Sequence, residues 1–185
     1  MANKVYTKEQ ILDTAYKITR DQDLDALSMR AIARKIGCSV MPIYDSFDSK
    51  DDLIKEVNLY SLHQTLYDLS VDTLYDRFDK IVEFGFKYPK FFLDFVRNEK
   101  AFVYETDVLC KLCDFMKKDD KLKDYHDQVA LRINSRVEAF IVGLVHIYCD
   151  EKPIERIIEV AKKIVRDTTE HIIEGVTKNE RKSAN

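Results

Sequence analysis

The chain has 185 residues, of which 45% are hydrophobic and 34% charged, values typical of a globular protein with one or two compact cores. Its net charge of −3 excludes a generally basic surface, so any affinity for nucleic acid must come from individually placed side chains. No apolar run approaches the roughly 20 residues that cross a bilayer and no signal pattern is present, which predicts a cytoplasmic protein without membrane contact.

Glycine and proline are scarce, with 4 and 3 copies, so the sequence has few turn signals and little room for a sheet. These counts favour an all-α protein. The 4 cysteines are expected to be free thiols, since the cytoplasm keeps thiols reduced.

The first predicted helix begins after Thr7. Thr7 and Gln10 form a capping box, in which each side chain can bond the other residue's amide. Ile11, Ala15 and Ile18 follow at helical spacing and predict a buried stripe. The polar segment 20–27 then interrupts the stripe and predicts a connection.

A second helix is predicted from Ser28, whose hydroxyl can cap it. Met29, Ile32, Ala33 and Ile36 recur at helical spacing. Gly37 follows, where a left-handed residue commonly ends a helix.

The third predicted helix is short, covering about 40–47, and Ser39 is expected to cap it. Its Ile43 and Phe47 form an apolar pair four residues apart, while Val40, Met41 and Pro42 are adjacent and cannot share one face.

A fourth helix begins after a second capping box at Ser49 and Asp52, with Leu53, Val57 and Tyr60 facing inward. Helix, glycine turn and short helix in succession outline a helix-turn-helix.

Residues 1–50 carry eight basic and seven acidic side chains, which again gives no strong positive field.

Residues 11–54 resemble the N-terminal DNA-binding domain of the tetracycline-repressor (TetR) family. The matching residues are Ile32-Ala33, Gly37-Cys38-Ser39, Tyr44 with Phe47, and Ser49-Lys50 with Leu53. The resemblance implies a cytoplasmic homodimer that binds a palindromic double-stranded DNA operator. It also implies a repressor that a small-molecule effector releases. We therefore expect a DNA-binding domain at 1–49 and an effector-binding and dimerisation domain at 50–185.

In such a domain the third helix enters the major groove with its N-terminal residues. Met41 or Pro42 would then read base edges, where apolar groups contact the thymine methyl, the alternative being that they are ordinary core residues. Arg30 could reach guanine, contact a phosphate or stay a solvated charge. Tyr44 and Lys50 would contact phosphates, with a core position as the alternative for Tyr44, and Phe47 belongs to the core. The full predicted DNA-contact set is Ser28, Arg30, Ser39, Val40, Met41, Pro42, Tyr44, Ser46 and Lys50.

Two acids, Asp45 and Asp48, depart from the family pattern. They bracket the contact surface, where their carboxylates would repel phosphates. DNA affinity is expected to be modest or strongly dependent on salt.

The rest of the chain is predicted to be helical, with Pro153 separating two long amphipathic helices at about 122–149 and 154–176. We expect these helices to dimerise, the alternative being that they complete a monomeric core. Gly143 and Gly175 lie in or near their apolar stripes, and close helix approach would explain both glycines.

Aromatic residues are concentrated between positions 84 and 125, and apolar pockets often use such rings. We expect an apolar or aromatic effector among these helices, although an aromatic stripe also suits a plain core. The candidate pocket residues are Phe84, Tyr88, Phe92, Phe95, Phe102, Tyr104, Phe115 and Phe140.

Cys110 and Cys113 form a CxxC pair in a helical stretch, where buried free thiols are the simplest interpretation. The alternative function is a thiol- or metal-responsive regulator that uses this pair. A redox enzyme is disfavoured because no strand precedes the motif. No nucleophile elbow, phosphate loop or carboxylate pair is present, so we predict no enzyme activity, no cofactor and no metal.

Overall fold

The computed structural model describes residues 6–22, 24–64, 69–97, 106–151 and 154–183, and these residues form helices and connections without a strand. This confirms the all-α prediction. The helices are α1 Lys8–Gln22, α2 Met29–Ile36, α3 Met41–Tyr44, α4 Lys50–Gln64, α5 Leu74–Lys87, α6 Pro89–Arg97, α7 Thr106–Met116, α8 Asp127–Tyr148 and α9 Ile154–Ser183. None of the described helices combines the length and apolarity that a membrane-spanning helix needs.

The N-terminal caps follow the sequence closely. The Gln10 amide donates to Thr7 Oγ1 at 3.2 Å, and the Thr7 amide donates to Gln10 Oε1 at 3.1 Å, which confirms the first capping box. Ser28 Oγ accepts from the Ala31 amide at 3.1 Å and so caps α2. These bonds satisfy amides that have no partner within their helices.

The second capping box forms in part. Ser49 Oγ accepts from the Asp52 amide at 3.1 Å, as predicted. The Asp52 carboxylate reaches back to the Asp48 amide, at 3.3 Å, rather than to Ser49. Both contacts still fix the start of α4 at Lys50, and residues 45–49 connect it to α3.

Gly37 ends α2 in the left-handed conformation, with φ of 82°, as predicted. Its amide donates to the Ala33 carbonyl oxygen at 2.9 Å, and the Cys38 amide donates to the same oxygen at 3.0 Å. A side chain at this φ would be strained, so glycine is what allows the tight turn toward α3.

The predicted Ser39 cap of α3 is wrong. The capping position is Val40, which has helical dihedrals and no side-chain cap, and α3 itself covers four residues. A cap at Ser39 would bond the amide three residues later, but that residue is Pro42, which has no N–H. The helix therefore begins one residue later than predicted and ends three residues earlier, at Tyr44 rather than near Phe47.

The buried apolar residues form two separate clusters. The N-terminal cluster combines side chains of α1, α2, α3 and α4, and the larger C-terminal cluster combines α5 to α9. Helix α4 belongs to both, because Leu53 and Val57 are buried in the N-terminal cluster while Leu59 packs against the C-terminal one. The boundary between residues 49 and 50 stays a prediction, and α4 connects the two units.

The two long C-terminal helices exist, but with different bounds from those predicted. Helix α8 begins at Asp127 rather than near 122, since His126 caps it by accepting from the Gln128 amide at 3.2 Å. Residues before it form turns. Helix α9 continues past the predicted end at 176 to Ser183, so Gly175 does not terminate it. Pro153 lies outside the described residues.

Gly85 lets α5, α6 and α8 pack closely. A Cβ added at Gly85 would lie 2.7 Å from Val145 Cγ2 on α8 and 3.2 Å from Phe92 Cδ1 on α6. Both neighbours are buried, at 0% and 2% exposure. A glycine is therefore required where these helices cross.

A buried cation also connects α5 to α8. Arg77 is 1% exposed, and its guanidinium donates to Asn134 Oδ1 and to Glu138 Oε1, each at 2.8 Å. A buried charge is tolerated only when it is paired and hydrogen-bonded, and both conditions are met here.

Candidate nucleic-acid interface

Helix α3 and the residues after it direct some apolar side chains into the core and others to the surface. Ile43 and Phe47 are 0% and 1% exposed and belong to the N-terminal cluster, which confirms the core assignment of Phe47. Met41 and Tyr44 lie on the opposite side and are 69% and 57% exposed. Two adjacent large apolar side chains on the outer side of one short helix make α3 a candidate contact surface.

The other predicted contact residues lie before, within and after α3 along the chain. Arg30 is exposed in the first turn of α2, and Lys50 is exposed as the first residue of α4. Ser39 is exposed, whereas Val40 and Pro42 are half-buried. Val40 also packs against the N-terminal cluster, which reduces the surface that it can present to a base.

Two of the predicted serines already have hydrogen-bond partners within the chain. Ser28 Oγ accepts from the Ala31 amide, and Ser46 Oγ donates to the Pro42 carbonyl oxygen at 2.8 Å. Their first role is therefore to hold α2 and α3. Their contact with DNA stays a prediction.

The charge around α3 is mixed. Arg30 and Lys50 are exposed, and so are the nearby acids Asp45, Asp48 and Asp51. Phosphates would be attracted to the two cations and repelled by the three carboxylates. Binding at this surface consequently depends on the placement of a few groups and on the salt concentration.

The structure places the candidate pocket residues in different surroundings. Phe92 and Phe115 are buried in the C-terminal cluster, while Phe84, Tyr88 and Phe140 are half-buried. The Phe84 ring lies 5.3 Å from the Tyr88 ring and 6.4 Å from the Phe92 ring, measured between centroids. Phe102 and Tyr104 and the side chain of Phe95 lie outside the described residues, so the aromatic cavity stays a prediction.

A cleft of about 490 Å³ lies between the end of α1 and the corner where α5 meets α6. Its lining residues are Arg20, Asp21, Gln22, Lys87, Tyr88, Pro89, Lys90 and Phe91. Only Tyr88 among them is in the predicted pocket set. The sequence gives no signal for this cleft, because its two walls come from distant segments that meet only in the fold.

Arg20 forms the contact between the two walls. Its guanidinium carbon lies 5.6 Å from the Tyr16 ring centroid on α1 and 5.0 Å from the Tyr88 ring centroid beyond α5. Asp21 accepts from Arg20 Nε at 2.8 Å, and this hydrogen bond is the main reason why the pKa of Asp21 lies below its usual value. Arg20, held by two rings and one carboxylate, thus lies where the two clusters meet.

The two cysteines of the CxxC pair differ in burial. Cys110 is exposed and Cys113 is buried, and all four cysteines are free thiols. Burial is the main cause that raises the pKa of the Cys113 thiol, and a raised pKa disfavours the reactive thiolate. Within the described residues no group of three or more His, Cys, Asp or Glu side chains could hold a metal ion. The thiol- or metal-responsive alternative gains no support.

Helices α8 and α9 leave large apolar side chains exposed. Ile147 is 66% exposed and Tyr148 45% on α8, and Val160 is 49% and Ile164 40% exposed on α9. Among the described residues, the close helix approach predicted at Gly143 and Gly175 does not occur, since an added Cβ at either position would meet none of their atoms within 4 Å.

The comparisons with known proteins agree with this architecture. Residues 11–57 match the family model of bacterial regulatory proteins of the tetR family. No curated protein sequence is significantly similar to the chain.

Several solved structures share the fold. BioQ with its natural double-stranded DNA operator is 15% identical, with a TM-score of 0.55, covering 86% of this chain and 98% of that one. A TetR variant from Acinetobacter baumannii AYE, in complex with minocycline, is 12% identical, with a TM-score of 0.58 and coverages of 94% and 97%. A TetR transcriptional regulator from Legionella pneumophila is 18% identical, with a TM-score of 0.55 and coverages of 91% and 99%.

Proposed function

We propose that this chain, which by its N-terminal domain and its fold is a TetR-family DNA-binding transcriptional regulator, is a homodimeric repressor. In this proposal it binds a palindromic operator and is released by a small-molecule effector. The observation that carries the proposal is the exposure of Met41 and Tyr44 on α3, directly after the glycine turn that positions this helix.

The DNA-binding part of the proposal follows from how α3 is supported. Ile43 and Phe47 anchor it in the core, so Met41 and Tyr44 are held outward on a rigid base. Met41 is the first residue of α3, the end that enters the major groove in a helix-turn-helix. Arg30 on α2 and Lys50 on α4 precede and follow α3 in the chain, and both are exposed positive charges.

The homodimer is proposed from the exposed apolar side chains of α8 and α9. Four of them, Ile147, Tyr148, Val160 and Ile164, lie on two helices that pack against each other. A second copy offers the same surface, so a two-fold interface would cover both. A dimer would also present two copies of α3 to the two halves of a palindrome.

The effector part of the proposal rests on the size and aromatic content of the C-terminal unit. Phe84, Tyr88 and Phe140 are half-buried there, so their rings are available to line a cavity. An effector releases the operator only by binding more tightly to the arrangement of domains that fits DNA poorly. The minocycline complex of the TetR variant supports a small molecule as the ligand class.

Footprinting on the DNA that flanks the chain's own gene tests the proposal. We expect protection of two inverted half-sites whose centres lie roughly 34 Å apart, on one face of the duplex. The double variant M41A/Y44A should lose this footprint while it keeps the helical content of the wild type, because both side chains are exposed. A search that protects no site, or protection unchanged in the double variant, would overturn the proposal.

Repression is tested separately with a reporter gene placed behind the protected DNA. Expression of the wild-type chain should lower transcription, and M41A/Y44A should not. An increase in transcription would show an activator and would contradict the repressor assignment.

A further inference from the structure

Two buried aromatic residues lie between the two clusters rather than in either of them. Tyr16 on α1 and Phe91 on α6 are 9% and 6% exposed, and among the described residues neither is part of the N-terminal or the C-terminal cluster. Their ring centroids are 6.0 Å apart and their planes are inclined by 69°, which is the edge-to-face geometry that aromatic pairs prefer. Each ring therefore covers the other where the two units meet.

Arg20 makes a second contact at the same place. It lies four residues after Tyr16, on the same side of α1. Its guanidinium carbon is 5.6 Å from the Tyr16 ring centroid and 5.0 Å from the ring centroid of Tyr88, the residue that ends α5. Asp21 accepts from Arg20 Nε at 2.8 Å and helps to keep the guanidinium in this position. Arg20 thus connects the end of α1 to the end of α5.

Both contacts continue into the two units. On the N-terminal side, the Tyr60 ring of α4 lies 5.9 Å from the Tyr16 ring. On the C-terminal side, the Phe84 ring of α5 lies 5.9 Å from the Phe91 ring and 5.3 Å from the Tyr88 ring. Tyr60 packs against the N-terminal cluster and Phe84 against the C-terminal cluster. Packed rings therefore run without a break from one cluster to the other.

The position of α3 depends on these few contacts. Helices α1, α2 and α3 pack mainly with one another and with α4, whereas α5 to α9 pack mainly with one another. Two units that share only a small interface are expected to move relative to each other. Ile11 and Ile18 of α1 share the N-terminal cluster with Ile43 of α3, so α3 moves when α1 moves.

We propose that Tyr16 and Arg20 form a joint between the two units, which holds α3 where a dimer can reach both half-sites of an operator. Both are positioning residues, and neither belongs to the predicted DNA-contact set. The joint rests on the proposed function, because it assumes a dimer that binds two half-sites.

The strength of the joint suits a regulated position. One ring pair or one cation on a ring changes an equilibrium by roughly two- to tenfold, so a ligand with a modest preference could shift it. Phe84 and Tyr88, proposed above to line the effector cavity, are the rings next to Phe91 and Arg20. An effector that displaces these two rings would loosen the joint.

Operators that differ only in the spacing of their half-sites test the proposal. The wild type should prefer the native spacing to one with an inserted base pair, which moves the second half-site along and around the duplex. A dimer has two joints, so Arg20→Ala should reduce this preference by roughly fivefold or more. DNA with a single half-site should bind equally to both proteins, because the contact surface of α3 is unchanged.

Lys17→Ala is the matched control. Lys17 lies one turn before Arg20 on α1 and pairs with Asp13 of the same helix, at 2.7 Å. This variant removes the same charge from α1, so it should affect both spacings equally. Arg20→Lys keeps a cation and should retain part of the spacing preference.

A double-mutant cycle with Arg20→Ala and Tyr88→Ala measures the contact between the units without DNA. Urea unfolding of the full chain, at one protein concentration, should give a coupling of roughly two- to fivefold in the unfolding equilibrium constant. Additive effects of the two substitutions would overturn the joint itself.

The positioning role would be overturned if Arg20→Ala kept the spacing preference of the wild type. Equal weakening on single half-site DNA, or the same loss of preference in Lys17→Ala, would also overturn it. A chain that binds no operator would be a failure of the proposed regulatory function, and the double-mutant cycle would still decide whether the joint exists.

Discussion

Val145 on α8 packs directly against Gly85 on α5, so closely that a Cβ on the glycine would lie 2.7 Å from Val145 Cγ2. Real Cβ atoms do not approach a neighbour so closely, and the valine cannot rotate away easily, because its branched side chain is fully buried. This contact sets the distance between α5 and α8 at the centre of the C-terminal unit.

Gly85→Ala should therefore destabilise the protein. Overpacking of a tight core costs roughly 1–3 kcal/mol, which exceeds the gain of up to about 1 kcal/mol from alanine in a helix. Gly175→Ala is the matched control, because none of the described atoms lies within 4 Å of its added Cβ. Urea unfolding at one protein concentration should give changes of opposite sign. Equal stabilisation of both variants would contradict the packing argument.

Much of the N-terminal fold could be predicted because its determinants are local. The Thr7 and Ser28 caps and the left-handed Gly37 depend on residues within a turn of one another. The Ser39 error has the same local origin, since Pro42 removes the amide that the cap needed. The apolar pair Ile43 and Phe47 likewise follows from helical spacing alone.

The contacts between distant segments could not be predicted in this way. Arg77 and Asn134 are 57 residues apart, and no pattern in either helix points to the other. The contact between Arg20 and the Tyr88 ring also joins distant segments, and so does the cleft that these two residues line. Periodicity shows which face of a helix is buried but not which partner buries it.

Acid should destabilise the protein through Glu170. Its carboxylate accepts hydrogen bonds from Lys121 and from the Tyr75 hydroxyl, and the Lys121 contact is the larger cause that lowers the pKa of Glu170. A lowered folded-state pKa gives a stabilisation that is complete above the ordinary value of 4.5 and lost as the pH falls through the folded-state value.

The variant Glu170→Gln tests this sign. The stability difference between wild type and Glu170→Gln should be constant at neutral pH and should shrink below a pH of about 4.5, where urea unfolding can follow it. Glu174→Gln removes an exposed carboxylate one turn further along α9 and serves as the control. A difference that grows in acid would contradict the prediction.

The proposed dimer should depend on Ile164, which is 40% exposed on α9. Ile164→Arg would bury an unpaired cation in an apolar interface, and central interface positions cost about 2 kcal/mol or more when disrupted, roughly a thirtyfold loss of affinity. Glu155→Arg adds an arginine on the opposite side of α9, nine residues away, and should not affect assembly.

Sedimentation at micromolar concentration distinguishes these outcomes, with circular dichroism to show that each variant is folded. The wild type and Glu155→Arg should sediment as dimers with equal dissociation constants, and Ile164→Arg should dissociate at a concentration about thirtyfold higher or more. A wild-type monomer, or an unchanged dissociation constant in Ile164→Arg, would reject this interface.

The exposed residues around α3 should divide into those that read the DNA sequence and those that hold the duplex. Lys50, at the first turn of α4, is assigned to phosphate binding, so Lys50→Ala should weaken binding to every DNA equally and lower the salt slope by about one unit per half-site. Met41 is assigned to base contact, because it is 69% exposed at the start of α3. Met41→Ala should cost roughly 1–3 kcal/mol on the operator and little on random DNA.

Asp45 supplies the control for charge, since its exposed carboxylate would lie near phosphates on either DNA. Asp45→Asn should strengthen binding to operator and random DNA alike, because it removes repulsion without adding a contact to a base. Fluorescence anisotropy over a salt series, with both DNAs, measures all three effects together. If Lys50→Ala changed the sequence preference while Met41→Ala weakened both DNAs equally, the two roles would have to be exchanged, and α4 rather than α3 would be the element that reads the operator.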